Sequence, residues 1–157
     1  RSGNLPPMPS TSVSAAAVTS ASLSQVWDRF NDVGTWAGIG LAEEVFDPEF
    51  VDGRLAGFAW TTRAAGITYR GTAGFTIWEN PSRLSFDLVN TEITGTIAIS
   101  TTDDTAGTAL DVTVEVRSVG LLASMFFPVI AQALQNGLAV QVENFALRLA
   151  ADAGSAN

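Results

Sequence analysis

Between Glu43 and Arg117 apolar and polar residues alternate with a period of two, run after run. Between Arg117 and Glu143 there is then no charged residue at all. The period of two predicts strands with one apolar and one wet face. Their connections are too short for crossover helices, so the strands form an antiparallel meander. One apolar face needs a cover, and the only long helical stretch, Gly120 to Ala151, has to lie across it. The expected fold is therefore α+β: a curved antiparallel sheet of about seven strands around one long C-terminal helix, a helix-grip arrangement.

The individual runs support this. Val13, Ala15 and Ala17 alternate within Thr11–Thr19 as a first strand. Ser22 stands three residues before Gln25, a capping-box pattern, and Leu23, Val26, Trp27 and Phe30 follow at helical spacing. A second short helix through Trp36 and Ile39 is expected to end at Gly38 and Gly40. Asp52-Gly53 is a hairpin signal, and Glu79-Asn80-Pro81-Ser82 has strong turn chemistry. Ile67, Tyr69, Gly71, Ala73, Phe75 and Ile77 are predicted on one face of one strand. Residues 1–10 are expected to be a disordered N-terminal segment or a cloning remnant, with Met8 a candidate native start. Residues 11–152 form a single domain and 153–157 a tail. No secretion-type apolar run opens the chain.

Composition narrows the function. Net charge is −8, and all eight cations are arginines. Such a chain repels nucleic acid and is not drawn to anionic lipid by charge. It has no Cys and no His, which removes thiol nucleophiles, His-based triads and zinc sites built on those residues. No catalytic residue, metal ligand or cofactor is assigned, and the inventory tilts toward binding. The lack of thiols fits a cytoplasmic location. Glu43-Glu44 makes a poor acid/base dyad because adjacent strand residues point oppositely. Asp103-Asp104 has too few ligands for calcium.

Small residues at inward positions (Ala15, Ala17, Gly71, Ala73, Gly95) suggest space beneath the helix. Aromatics at Trp36, Phe58, Trp60, Tyr69, Phe75 and Phe86 would wall it, with Ile97 from the sheet. Met125, Phe126, Ile130, Leu134 and Leu138 would close it from the helix. The competing expectation is that helix side chains fill the gap. Tyr69, the only tyrosine, is predicted to face inward, where its hydroxyl needs a ligand carbonyl, a backbone group or water.

The helix is long enough to span a membrane, which takes about 20 apolar residues. Gln132, Gln135, Asn136 and Gln141 interrupt it, and Pro128 would kink it. It is read as the gripping helix. Its apolar arc is wider than one sheet face requires, which leaves surface for a ligand, a partner or a second copy. The run Leu121 to Pro128 is read either as packing on the sheet end or as a flexible gate or membrane-touching lip over the cavity mouth.

This organisation resembles the START/Bet v 1-like superfamily, including polyketide cyclase-like proteins. Val26-Trp27-Asp28, Asp32 and Trp36 carry the resemblance, with Glu79 to Leu84 as a turn into a strand and Gly107-Thr108 with Leu110 opening the last strand. Within it, Tyr69-Arg70-Gly71 and Ser118 to Ala123 are similar to the CoxG-like branch, the carbon monoxide dehydrogenase accessory subunits. Where that branch has Pro-Gly, this chain has Ala37-Gly38-Ile39-Gly40. The resemblance implies a carrier of an apolar small molecule, a lipid or isoprenoid quinone. It would serve a membrane-linked redox enzyme, in the cytoplasm or peripheral to the inner membrane. The alternatives are a cyclase/aromatase-like enzyme and a ligand-free interaction subunit, which differ in how many polar groups line the interior and whether a pocket exists.

Overall fold

A computed structural model describes residues 9–64 and 66–155. The sheet has seven antiparallel strands, β1 (Ser10–Thr19), β2 (Glu44–Val51), β3 (Arg54–Ala64), β4 (Ile67–Glu79), β5 (Arg83–Val89), β6 (Ile93–Asp104) and β7 (Gly107–Ser118). Their order across the sheet is β1-β7-β6-β5-β4-β3-β2, so the meander runs unbroken and β1 closes on its last strand. Helix α1 (Leu23–Phe30) and a short 3-10 helix (Val33–Trp36) lie between β1 and β2, and α2 (Leu121–Ser155) ends the chain. Of the expected N-terminal segment 1–10, residues 1–8 fall outside the described residues, as do Ala65, Ala156 and Asn157.

The local signals act as the sequence predicts. Ser22 Oγ accepts from Gln25 N while Gln25 Oε1 accepts from Ser22 N, so two orphan amides of α1 are satisfied reciprocally. Asp52 and Gly53 both have positive φ (53° and 80°), the requirement of a two-residue turn matched to strand twist. Pro128 sits inside α2 without ending it; its missing N–H leaves the Ser124 carbonyl without its helical donor.

Two expectations are corrected. Ile39 is not helical: only Val33–Trp36 forms a 3-10 turn, and Ile39 lies buried in the following loop. In β4 a register shift between Phe75 and Ile77 flips the face, so Trp78 rather than Ile77 turns to the core, meeting Trp27 and Phe75 edge-on at 5.5 and 5.2 Å. A bulge is a backbone event that strict alternation cannot reveal.

Helix α2 lies over β1 and the neighbouring β7. Thr19 Oγ1 donates to the Ala146 carbonyl (2.8 Å) and Gln135 Nε2 to Thr11 Oγ1 (3.2 Å). Ala15 and Ala17 lie between those two threonines and are partly buried against the core, so their small side chains let the helix approach the strand. Ala123, Phe127, Ile130, Leu134, Leu138, Val142, Phe145 and Leu149 form the buried face of α2. By length and composition this helix would also suit a membrane span, yet here it is the cover of the sheet.

Candidate functional site

The inner face of β3 and β4 matches large against small. Register partners share a face, and they pair Phe58 with Ala73, Trp60 with Gly71 and Thr62 with Tyr69. A Cβ on Gly71 would stand 2.6 Å from the Trp60 ring and 2.1 Å from the Val89 carbonyl oxygen. The Trp60 indole is then fixed by Nε1 donating to the Thr72 carbonyl at 2.8 Å. Gly95 likewise sits between Leu88 and Val116. The small residues read from sequence as cavity positions are therefore filled by their neighbours.

Trp36 is the hub of the interior. It meets Phe86 at 5.0 Å, Phe30 at 5.1 Å, and Phe75 and Phe145 at 5.8 Å, and its Nε1 donates to the Phe30 carbonyl. Phe58 joins through Phe75 and Phe86. Of the expected ligand residues, Trp36, Phe58, Phe75 and Phe86 thus form one aromatic cluster. Trp60, Ile97 and Leu138 are buried. Met125 is 67% exposed and Phe126 half-buried; the inward-pointing phenylalanine is Phe127.

Space remains at the edge of this core. A cleft of about 230 Å³ lies between α2, the end of β3 and the loop before β2. Ile130, Leu134 and Leu41 give it apolar walls, Thr62 a hydroxyl, and Glu43 and Arg63 stand at its polar rim. Only Ile130 and Leu134 among the expected residues line it. Leu41, Thr62, Val129 and Gln141 were missed. Gln141 latches the loop to the helix: Gly40 N donates to its Oε1 at 2.9 Å and its Nε2 donates to the Gly40 carbonyl at 3.3 Å. Arg148 adds a bond to the Ala37 carbonyl.

One strand in from Thr62, on the same face, is its register partner Tyr69. Its side chain is buried, with 3% of the residue exposed, and its hydroxyl has no hydrogen-bond partner among the described residues. An unpaired buried hydroxyl costs about 1–3 kcal/mol, so this donor is available to an incoming acceptor. Burial first, and the Glu92 charge second, push its pKa above the ordinary 10.0 and keep it protonated as a donor. Glu92, also missed, caps α2 with Oε1 accepting from Ala123 N at 2.9 Å. Nothing in a turn sequence announces that a carboxylate there will meet a helix start 31 residues later.

Several other buried hydroxyls are committed to the fold. Thr35 bonds the Arg29 carbonyl, Thr101 the Pro81 carbonyl and the Trp27 indole, and Thr108 the Ala21 carbonyl. Among the described residues there is no cluster of His, Cys, Asp or Glu able to hold a metal.

No known protein family matches the chain by sequence, and no curated protein does. Solved structures do match in shape. The Zhui aromatase/cyclase from Streptomyces sp. R1128 is similar over 93% of this chain and 94% of its own, with 15% identity and a TM-score of 0.68. A START superfamily protein from Mycobacterium smegmatis matches over 88% and 96%, with 14% identity and a TM-score of 0.60. Norcoclaurine synthase from Thalictrum flavum matches over 92% and 88%, with 12% identity and a TM-score of 0.57. At such identities the likeness establishes the fold, the helix-grip fold of START proteins and aromatase/cyclases.

Proposed function

We propose that the chain binds a small apolar molecule carrying an oxygen acceptor, with its apolar part in the cleft under α2 and its oxygen on the Tyr69 phenol. The observation that carries this is the buried, partnerless Tyr69 hydroxyl set one strand from an apolar-walled cleft. A carbonyl-bearing lipid or isoprenoid quinone has the required chemistry: a long apolar body and a planar or terminal acceptor. The cleft is smaller than the ~300–1,000 Å³ usual for ligand sites, so a long chain displaces the latched loop as it enters. The finer role, a CoxG-like carrier serving a membrane-linked redox enzyme in the cytoplasm at the inner membrane, draws its support from the sequence resemblance.

A cyclase would use the same fold to position a polar, reactive chain. The commitment of the Thr35, Thr101 and Thr108 hydroxyls to structural bonds favours carriage over that chemistry. The test is native mass spectrometry of protein purified from its host, followed by organic extraction. A lipid or quinone bound one to one supports carriage. Protein that emerges empty and takes up no quinone or lipid in titration rejects it.

A further inference from the structure

Among the described residues, the start of α2 carries the densest run of exposed apolar side chains. Leu121 is 80% and Met125 67% exposed, and Val119, Leu122 and Val129 are also open to solvent. Val89 joins them, because Val119 N and Gly120 N both donate to the Glu92 carbonyl and draw the β5–β6 turn alongside. We propose that this tip docks on an uncharged, zwitterionic bilayer surface.

Shape favours a membrane. Leu121, Leu122, Met125 and Val129 fall within an arc of roughly 100° on one helix face. One turn further the same face turns polar at Gln132, bonded to Asn136 at 3.1 Å, and beyond it exposed apolar side chains return only singly, at Val140 and Leu147. The contiguous apolar surface is thus a short tip, suited to shallow insertion at an interface. It is also small: a handful of side chains, against about 20–30 residues a side in a stable protein interface. That argues against a second copy as the occupant.

Charge selects the lipid. No charged residue occurs between Arg117 and Glu143, and the one neighbouring carboxylate, Glu92, is turned inward onto Ala123 N. The chain as a whole carries −8, so anionic lipid is repelled while a zwitterionic surface is indifferent. The tip is continuous with the cleft, since Val129 is both exposed and part of the cleft wall. A molecule leaving the bilayer would meet the cleft at its edge. The purpose of the docking therefore rests on the carrier reading.

The test is flotation of the full chain with phosphatidylcholine vesicles, without added ligand. The wild type is expected to float, unaffected by raising salt from low to high. The double variant Leu121→Asp/Met125→Asp is expected to lose at least tenfold in partitioning while keeping its melting temperature. Leu147→Asp, at an equally exposed apolar position far along α2, is expected to float as the wild type does. The proposal falls if the wild type stays in solution, if it binds only phosphatidylglycerol vesicles in a salt-sensitive way, or if the double variant floats unchanged. It also falls if sedimentation without vesicles shows a dimer that the double variant dissociates. Ligand uptake is measured separately without vesicles, so either reading can fail alone.

Discussion

At the scale of residues, the informative positions are those where one atom more or less changes the outcome. Gly71 is one. Its missing Cβ makes room for the Trp60 ring and the Val89 carbonyl, both fixed by strand pairing. Gly71→Ala is expected to destabilise by about 3 kcal/mol, the upper end for overpacking, because neither neighbour can yield; chemical denaturation measures it. Tyr69 is the other. Tyr69→Phe removes the orphan donor, so acceptor-bearing ligands should bind about tenfold more weakly while stability holds or rises slightly, as titration and melting would show. Because Tyr69 is the only tyrosine, phenolate absorbance follows it alone. Its folded pKa lies above the unfolded value near 10.0, so its protonated form favours the fold. That contribution is fully present below pH 10 and is lost as pH rises through the higher folded pKa. The Phe variant should therefore lose less stability than wild type on the alkaline side.

At the scale of elements, the loop from Ala37 to Glu43 and the helix α2 are held by few bonds. Gln141 supplies two of them and Arg148 one. Gln141→Ala is expected to weaken loop closure by about 1–2 kcal/mol with little effect on global melting. Faster exchange of the Gly40 amide, and faster ligand uptake, would be the readouts. An unchanged Gly40 exchange rate would place the latch elsewhere. The sequence marks Gln141 only as a polar interruption of an apolar helix. Its role depends on which loop comes to lie opposite, 101 residues earlier.

At the scale of the whole molecule, the interior is a packed aromatic core with a cleft at one edge. Trp36 joins α2, through Phe145, to the sheet, through Phe75 and Phe86. Trp36→Ala is expected to cost about 3–5 kcal/mol and to loosen helix and sheet together, in one transition by calorimetry. A ligand that binds only the folded chain should stabilise it by ~2.7 kcal/mol at a hundredfold excess over Kd. For a chain of this size that is roughly 5–10 °C in melting temperature. Quinones and carbonyl-bearing lipids should give such a shift, and plain alkanes a smaller one.

The architecture is legible residue by residue: alternation sets the six strands of the meander, helical spacing sets α2, and capping and turn residues set α1 and the Asp52-Gly53 hairpin. These are local signals, written in neighbouring residues. Alternation also places Tyr69 inward, because strand parity decides the face. Only the tertiary structure decided what the small residues do. Gly71 and Ala73 are opposed by Trp60 and Phe58, and Ala15 and Ala17 lie under α2, so space inferred from one strand is occupied from the next. It also moved the candidate site from the middle of the sheet to the edge of the helix, where Thr62, Leu41 and Gln141 meet. Parity is a property of a single strand, whereas a cavity is the volume left when several elements have packed, and its residues share no spacing along the chain.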